Sequence, residues 1–169
     1  MRAKSRMQVV RAILMQFVPR FIPRGRVVWV SVHGGATSCI APRRIAGLKF
    51  PPALPEVLPN VIIHDRTRRW LVLIDVASGR GRMNTQRCER LLSLFRGSRL
   101  ILVFVSAFWE RSEFRGLGND FAWGIAAWFA SEPDHMIHFN GGILQTPQDS
   151  RDHSGRGGEV FRRSRNAGT

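Results

Sequence analysis

Two short apolar runs, Leu58-Pro59-Asn60-Val61-Ile62-Ile63-His64 and Trp70-Leu71-Val72-Leu73-Ile74-Asp75-Val76, limit what this chain can fold into more than any other feature. Each is rich in Val, Ile and Leu, and the polar cluster Asp65-Arg66-Thr67-Arg68-Arg69 between them reads as a turn. A hairpin closed about that turn sets residue 65 opposite 70. The register then brings Asn60 opposite Asp75. An amide and a carboxylate therefore meet at the open end of an apolar hairpin. Oxygen-bearing groups so placed suit a divalent cation over a phosphodiester, a task more often given to two carboxylates. On the hairpin alone a plainer reading also stands, in which Asn60 satisfies a strand end and Asp75 pairs with an arginine.

The rest of the chain narrows the setting. Its 169 residues, 44% hydrophobic, suit one domain with a real core. The formal charge of +14 points to a polyanionic partner. Residues 1–60 carry ten basic side chains against the single acid Glu56, whereas residues 61–140 are nearly balanced at eleven against eight. Every basic residue except Lys4 and Lys49 is an arginine. Cys39 and Cys88 offer neither metal-ligand spacing nor a disulfide framework, so a reducing, cytoplasmic setting is expected. No apolar run is long enough to cross a bilayer, and no membrane role is expected.

Three regions are expected along the chain. Residues 1–25 form a basic helical segment in which Met7, Val10, Leu14 and Phe17 recur at helical spacing, as in an amphipathic docking helix. Residues 26–144 form the main domain, and residues 145–169, rich in Gly, Ser, Arg and Asp, are expected to be disordered. Within the main domain a strand runs from Arg26 to Val32 and a turn covers His33 to Ser38. A proline-rich connector spans residues 41–57, and after the hairpin comes a loop from Ala77 to Arg82. Asn84 or Thr85 caps a helix whose apolar face is Cys88, Leu91, Leu92 and Phe95, with Gly97 placed to end it. Leu100 to Val105 reads as a central strand, Glu110 to Phe114 as a helical turn, Asn119 or Asp120 as the cap of another, and Ile125 to Ala130 as a further strand. The outcome is an α/β fold, a mixed central sheet flanked by helices. Trp29, Trp109, Trp123 and Trp128 are expected in the core rather than stacked on bases.

With its flanking blocks, the hairpin resembles the BsuBI/PstI family of type II restriction endonucleases. The residues that carry the likeness are Leu58-Pro59-Asn60, Trp70 to Asp75, Val103-Phe104-Val105-Ser106-Ala107-Phe108, Asp120-Phe121-Ala122-Trp123, and His135-Met136-Ile137-His138-Phe139-Asn140-Gly141. They occur in family order at near-constant spacing from Pro55 to Gly142. The resemblance implies a restriction-endonuclease-like fold of the PD-(D/E)xK type. It also implies Mg²⁺-dependent cleavage of double-stranded DNA within a restriction-modification system, and a twofold homodimer on the palindrome CTGCAG.

Carried over by residue, the resemblance sets the family's two acids on Asn60 and Asp75, the expected metal ligands. Its lysine-bearing run falls on Thr85-Gln86-Arg87, which makes Gln86 and Arg87, with Asp75 and Asn60, the candidate catalytic residues. The departures are definite. Asn60 keeps an oxygen but no charge, Asp75 is one methylene shorter than the usual glutamate, and Asp75-Val76-Ala77 lacks a lysine two residues on. Arg87, Arg80 or Arg82 can supply a fixed charge but not a general base. Glu56 and Asp65 are substitute acids, the latter set back about 16 Å by strand rise. His135 and His138 could share a helical face, without an evident third metal ligand. A second function therefore stays open: a catalytically impaired remnant acting as a DNA-binding or protein-interaction module.

Overall fold

The computed structural model describes residues 5–32, 36–38, 48, 57–77, 82–115 and 121–139. The expectations for Lys4, His33 to Gly35, Cys39, Lys49, nearly all of the connector, Glu56, Arg80, Asn119, Asp120, Asn140 and the tail lie outside these residues.

The chain opens with α1 (Arg6–Ala12), a π-helical stretch (Ile13–Phe17) and α2 (Val18–Phe21). Ser5 caps α1, accepting from the Gln8 N–H while the Gln8 side chain accepts from the Ser5 N–H, a reciprocal capping box. Seven strands follow among the described residues: β1 (Arg26–Val32), β2 (Ala36–Ser38), β3 (Val61–Asp65), β4 (Trp70–Val76), β5 (Ile101–Phe108), β6 (Ile125–Phe129) and β7 (Met136–His138). Helix α3 (Thr85–Leu94) lies between β4 and β5, and the short α4 (Arg111–Arg115) between β5 and β6. The sheet order is β2-β1-β3-β4-β5-β6-β7. β4, β5 and β6 run parallel and the other neighbours antiparallel, giving the expected mixed sheet. Both crossovers into the parallel strands carry a helix, as parallel pairing requires.

Period-two alternation divides the core. Val61 and Ile63 of β3, with Val72, Ile74 and Val76 of β4, face Val9, Ile13, Phe17 and Phe21 of the N-terminal helices. Ile62, Leu71 and Leu73 instead face Cys88, Leu91 and Phe95 of α3. Asp75 shares the parity of Leu71 and Leu73, so it lies on the α3 face. Asn60 shares the parity of Ile62 and arrives on the same face. A β-bulge between Val27 and Trp29 shifts the register of β1 and brings both Val28 and Trp29 into the α3-side core. There the Trp29 indole N–H donates to the Pro59 carbonyl at 3.0 Å, fixing the residue before Asn60.

Several expectations are corrected. Of the expected stripe, Val10 and Phe17 are buried and Leu14 packs against the core, but Met7 is 64% exposed, because Val9 and Ile13 turn the buried face away from it. Residues 36–38, read as turn, form the edge strand β2. Leu92 lies at the rim of the α3 face and is exposed. The helix ends at Leu94, three residues before Gly97, with the Phe95 N–H returning to the Leu91 carbonyl. β5 continues to Phe108, three residues past the expected end, because its parallel partners continue with it. Trp29 and Trp128 are core residues as expected, whereas Trp123 is 71% exposed, in the turn before β6.

Candidate active site

The hairpin register is Asp65 opposite Trp70 through Val61 opposite Ile74, and its next step sets Asn60 beside Asp75. The contact is direct: the Asn60 backbone N–H donates to Asp75 Oδ1 at 3.1 Å. The Asn60 amide is spent on the backbone of two other strands. Its Nδ2 donates to the Ser31 carbonyl of β1 at 2.9 Å, and its Oδ1 accepts from the Val76 N–H of β4 at 2.9 Å. The Ser31 N–H in turn donates to the Asn60 carbonyl at 2.7 Å. Asn60 thus pins three strands together at the open end of the hairpin, and only 3% of it is exposed. One donor and one acceptor on the same side chain are needed there, which is the inventory of an amide.

Asp75 is equally buried. Arg87 Nε donates to its Oδ2 at 2.7 Å and Nη2 reaches Oδ1 at 3.5 Å. A third donor, Nη1, holds the Val57 carbonyl at 2.8 Å. Asn84 caps α3 by accepting from the Arg87 N–H at 2.8 Å, so Arg87 sits in the first helical turn. A cation there is opposed by the helix dipole, and no acid in that turn offsets it. Asp75 does. Ser106 lies beside Asp75 on the neighbouring parallel strand, and its hydroxyl accepts from the Met83 N–H at 3.1 Å, tying the approach to α3 to the sheet. Ser31 and Ser106 are buried polar residues inside apolar strands, the signal by which a sequence could have flagged them. Buried next to this pair, the Cys88 thiol is pushed up to about 12, chiefly by desolvation and then by the Asp75 charge.

The structure therefore brings Asn60, Asp75 and Arg87 into one cluster. Gln86, in the same first turn of α3, is exposed and bonds to none of them. Asp65 is excluded as a substitute acid, because Oδ1 accepts the Thr67 and Arg68 N–H groups and holds the far turn of the hairpin. His135 and His138 do not share a helical face. His138 belongs to the edge strand β7 and His135 precedes it. Among the described residues no three His, Cys, Asp or Glu side chains converge as a metal cage. A divalent cation here would have Asp75 as its carboxylate, and Arg87, which occupies Oδ2, would have to give way to it.

Comparison with known proteins gives the family. The family model for the BsuBI/PstI restriction endonuclease domain matches residues 2–142. The type II restriction enzyme BsuBI of Bacillus subtilis is 31% identical over 134 residues, covering 79% of this chain and 42% of that protein. The type II restriction enzyme AplI of Arthrospira platensis is 36% identical over 83 residues, covering 49% of this chain and 26% of its own. The structure of the SdaI restriction endonuclease superposes with a TM-score of 0.71 at 31% identity, over 85% of this chain and 46% of that one. This chain thus spans less than half the length of each of these relatives. By sequence and by fold, it belongs to the BsuBI/PstI restriction endonuclease domain family.

Proposed function

We propose that this chain acts in a type II restriction-modification system, as the nuclease-fold unit that hydrolyses phosphodiester bonds of double-stranded DNA with Mg²⁺. The observation that carries the reading is the meeting of Asn60, Asp75 and Arg87 at the open end of the β3–β4 hairpin, in a chain of this family. Mg²⁺ would supply charge neutralisation at the phosphate and a more acidic water.

The chain's own residues have separable tasks. Asp75 is the charged ligand. Asn60 orients it, donating its N–H to Oδ1 while its amide fixes the strand ends. Among the described residues Arg87 is the cation on the carboxylate, and in the complex it transfers its fork from Asp75 to a DNA phosphate, for which guanidinium geometry is well suited. Being a permanent cation, it stabilises negative charge and takes no proton. Gln86, exposed one residue earlier, would contact the same backbone. A homodimer would present two such sites to the two strands of a palindrome. Cytoplasmic DNA is the substrate; no helix among the described residues is long and apolar enough to cross a membrane.

The test is cleavage of a supercoiled plasmid bearing CTGCAG, with and without Mg²⁺, by the parent chain and by Asp75→Asn. Discrete fragments that need both Mg²⁺ and Asp75 are expected. Cutting that survives Asp75→Asn would reject the site. An inert parent chain with retained DNA binding would instead assign it to the impaired, binding-only class.

A further inference from the structure

The opposite end of the sheet carries a second concentration of chemistry. The β3–β4 turn contributes Arg66, Arg68 and Arg69, and Arg26 lies across from His64 at the start of β1. Arg99 joins them just before β5, where the Ile101 N–H donates to the Arg69 carbonyl at 2.8 Å and Arg69 Nη2 donates to the Arg99 carbonyl at 3.2 Å. All five arginines are exposed. Asp65, the acid in this turn, is 2% exposed and is consumed by the turn's own N–H groups. Arg68 is committed internally, to the Phe21 carbonyl, to Asp65 and over the Trp70 ring. Among the described residues no carboxylate pairs with Arg66, Arg69, Arg99 or Arg26.

A second, independent observation is the backbone of Arg69, at φ 58°. That left-handed conformation is cheap for glycine or asparagine and unfavourable for a long side chain. Arg69 nonetheless occupies it, with Nη2 on the Arg99 backbone carbonyl, so two arginines without a carboxylate partner among the described residues sit together at this end of the sheet. Arg66 also contributes to the lowering of the His64 pKa, after burial, as a positive field at this end requires. Arg26, the turn and Arg99 span three inter-strand spacings, roughly 14 Å, enough to follow several phosphates of one duplex.

We infer that this turn end of the sheet, centred on Arg66, Arg69 and Arg99, is a phosphate-binding face for the backbone of duplex DNA, separate from the Asp75 cluster. Five residues of strand, roughly 16 Å, lie between the two. The face reads no bases and needs no metal. It holds DNA by charge alone, and so engages a different stretch of backbone from the one at Asp75.

The experiment measures binding of a random-sequence duplex by fluorescence anisotropy in EDTA, from 50 to 200 mM salt, so that neither cleavage nor metal contributes. For Arg66→Ala/Arg69→Ala/Arg99→Ala, the slope of log affinity against log salt should fall by about 2 to 3, since each phosphate contact contributes about 0.9. The triple lysine variant should keep the slope. Arg69→Gly provides the control for folding: it should raise the melting temperature by relieving the backbone and still lower the slope by about one contact. A triple alanine variant that melts like the parent and keeps its salt slope would overturn the inference, whatever the plasmid assay shows.

Discussion

Asn60→Asp supplies the carboxylate that the family resemblance implies at this position, yet the structure says that it should first destabilise the fold. In the parent, Nδ2 donates to the Ser31 carbonyl and Oδ1 accepts from the Val76 N–H, with the residue 3% exposed. An ionised aspartate loses the donor, faces the Ser31 carbonyl with like partial charge, and adds a second anion beside Asp75. The orphaned carbonyl costs about 1–3 kcal/mol, and an uncompensated buried charge about 3–5 kcal/mol. Because these overlap, roughly 4 kcal/mol is expected at pH 8. Proton uptake sets a ceiling, since a protonated aspartate reproduces the amide's one donor and one acceptor. Neutralising an ordinary carboxyl at pH 5 costs only about 1.5 kcal/mol, against more than 5 kcal/mol at pH 8. The folded pKa of the new acid is therefore raised, and stability is greatest below its unfolded value near 4 and falls as pH rises through the folded one. Urea unfolding in EDTA at pH 5 and pH 8 measures both numbers, and added Mg²⁺ at pH 8 should recover part of the loss. Equal midpoints for parent and variant at pH 8, or the same penalty at both pH values, would refute the pinned-amide argument.

The other expectations rest on single contacts. Arg87→Ala leaves the Asp75 carboxylate buried without its cation and should cost about 3 kcal/mol in urea; adding Asp75→Asn should return part of that loss, and strict additivity would contradict the pair. Trp128→Ala removes a fully buried indole packed edge-on against Phe17, and should lower stability by about 3–5 kcal/mol. His64 has its pKa lowered from 6.5 by burial and then by Arg66, so the unfolded chain takes up the proton first as pH falls. Stability should be lost as pH drops below about 6.5, and His64→Gln should remove that component of the pH profile. In a Cys39→Ser background, the Cys88 thiol, pushed up to about 12, should resist a disulfide reagent at pH 8 until urea unfolds the chain. Rapid labelling of the folded protein would contradict its burial.

How much of this was legible in the sequence depended on whether a residue's partner could be reached by counting. The register that joins Asn60 to Asp75 follows from a period of two and one turn, and the cap at Asn84 follows from residue type; both are present. The pairing of Asp75 with Arg87 was open to the plainer reading, but its geometry required knowing that odd positions of β4 face α3. Ser31 stands out as a polar residue in an apolar strand, but its contact with Asn60 was out of reach, because it depends on a bulge at Val27 to Trp29 that no pattern announces. Trp123 and Leu92 misled for a related reason: a hydrophobic residue predicts burial only where another element covers it, and the covering is a tertiary fact.

The amide at 60, a departure from the family pattern, and the arginine at 87 are coupled by charge. Two carboxylates facing one arginine would leave a net negative site that draws a divalent cation. With Asn60 in place, Asp75 and Arg87 sum to zero, and the hydrogen bonds at 2.7 Å and 3.1 Å close around the carboxylate. Metal entry then depends on something drawing Arg87 away, and a DNA phosphate is an anion that a guanidinium binds in the same forked geometry. It follows that a divalent ion should bind more tightly in the presence of a duplex than in its absence. In Arg87→Ala that dependence should vanish, because the carboxylate is open from the start. Calorimetric titration of Mn²⁺ into parent and variant, each with and without a short duplex, measures the coupling directly. Equal Mn²⁺ affinity for the free parent and the free variant would show that Arg87 does not guard the carboxylate.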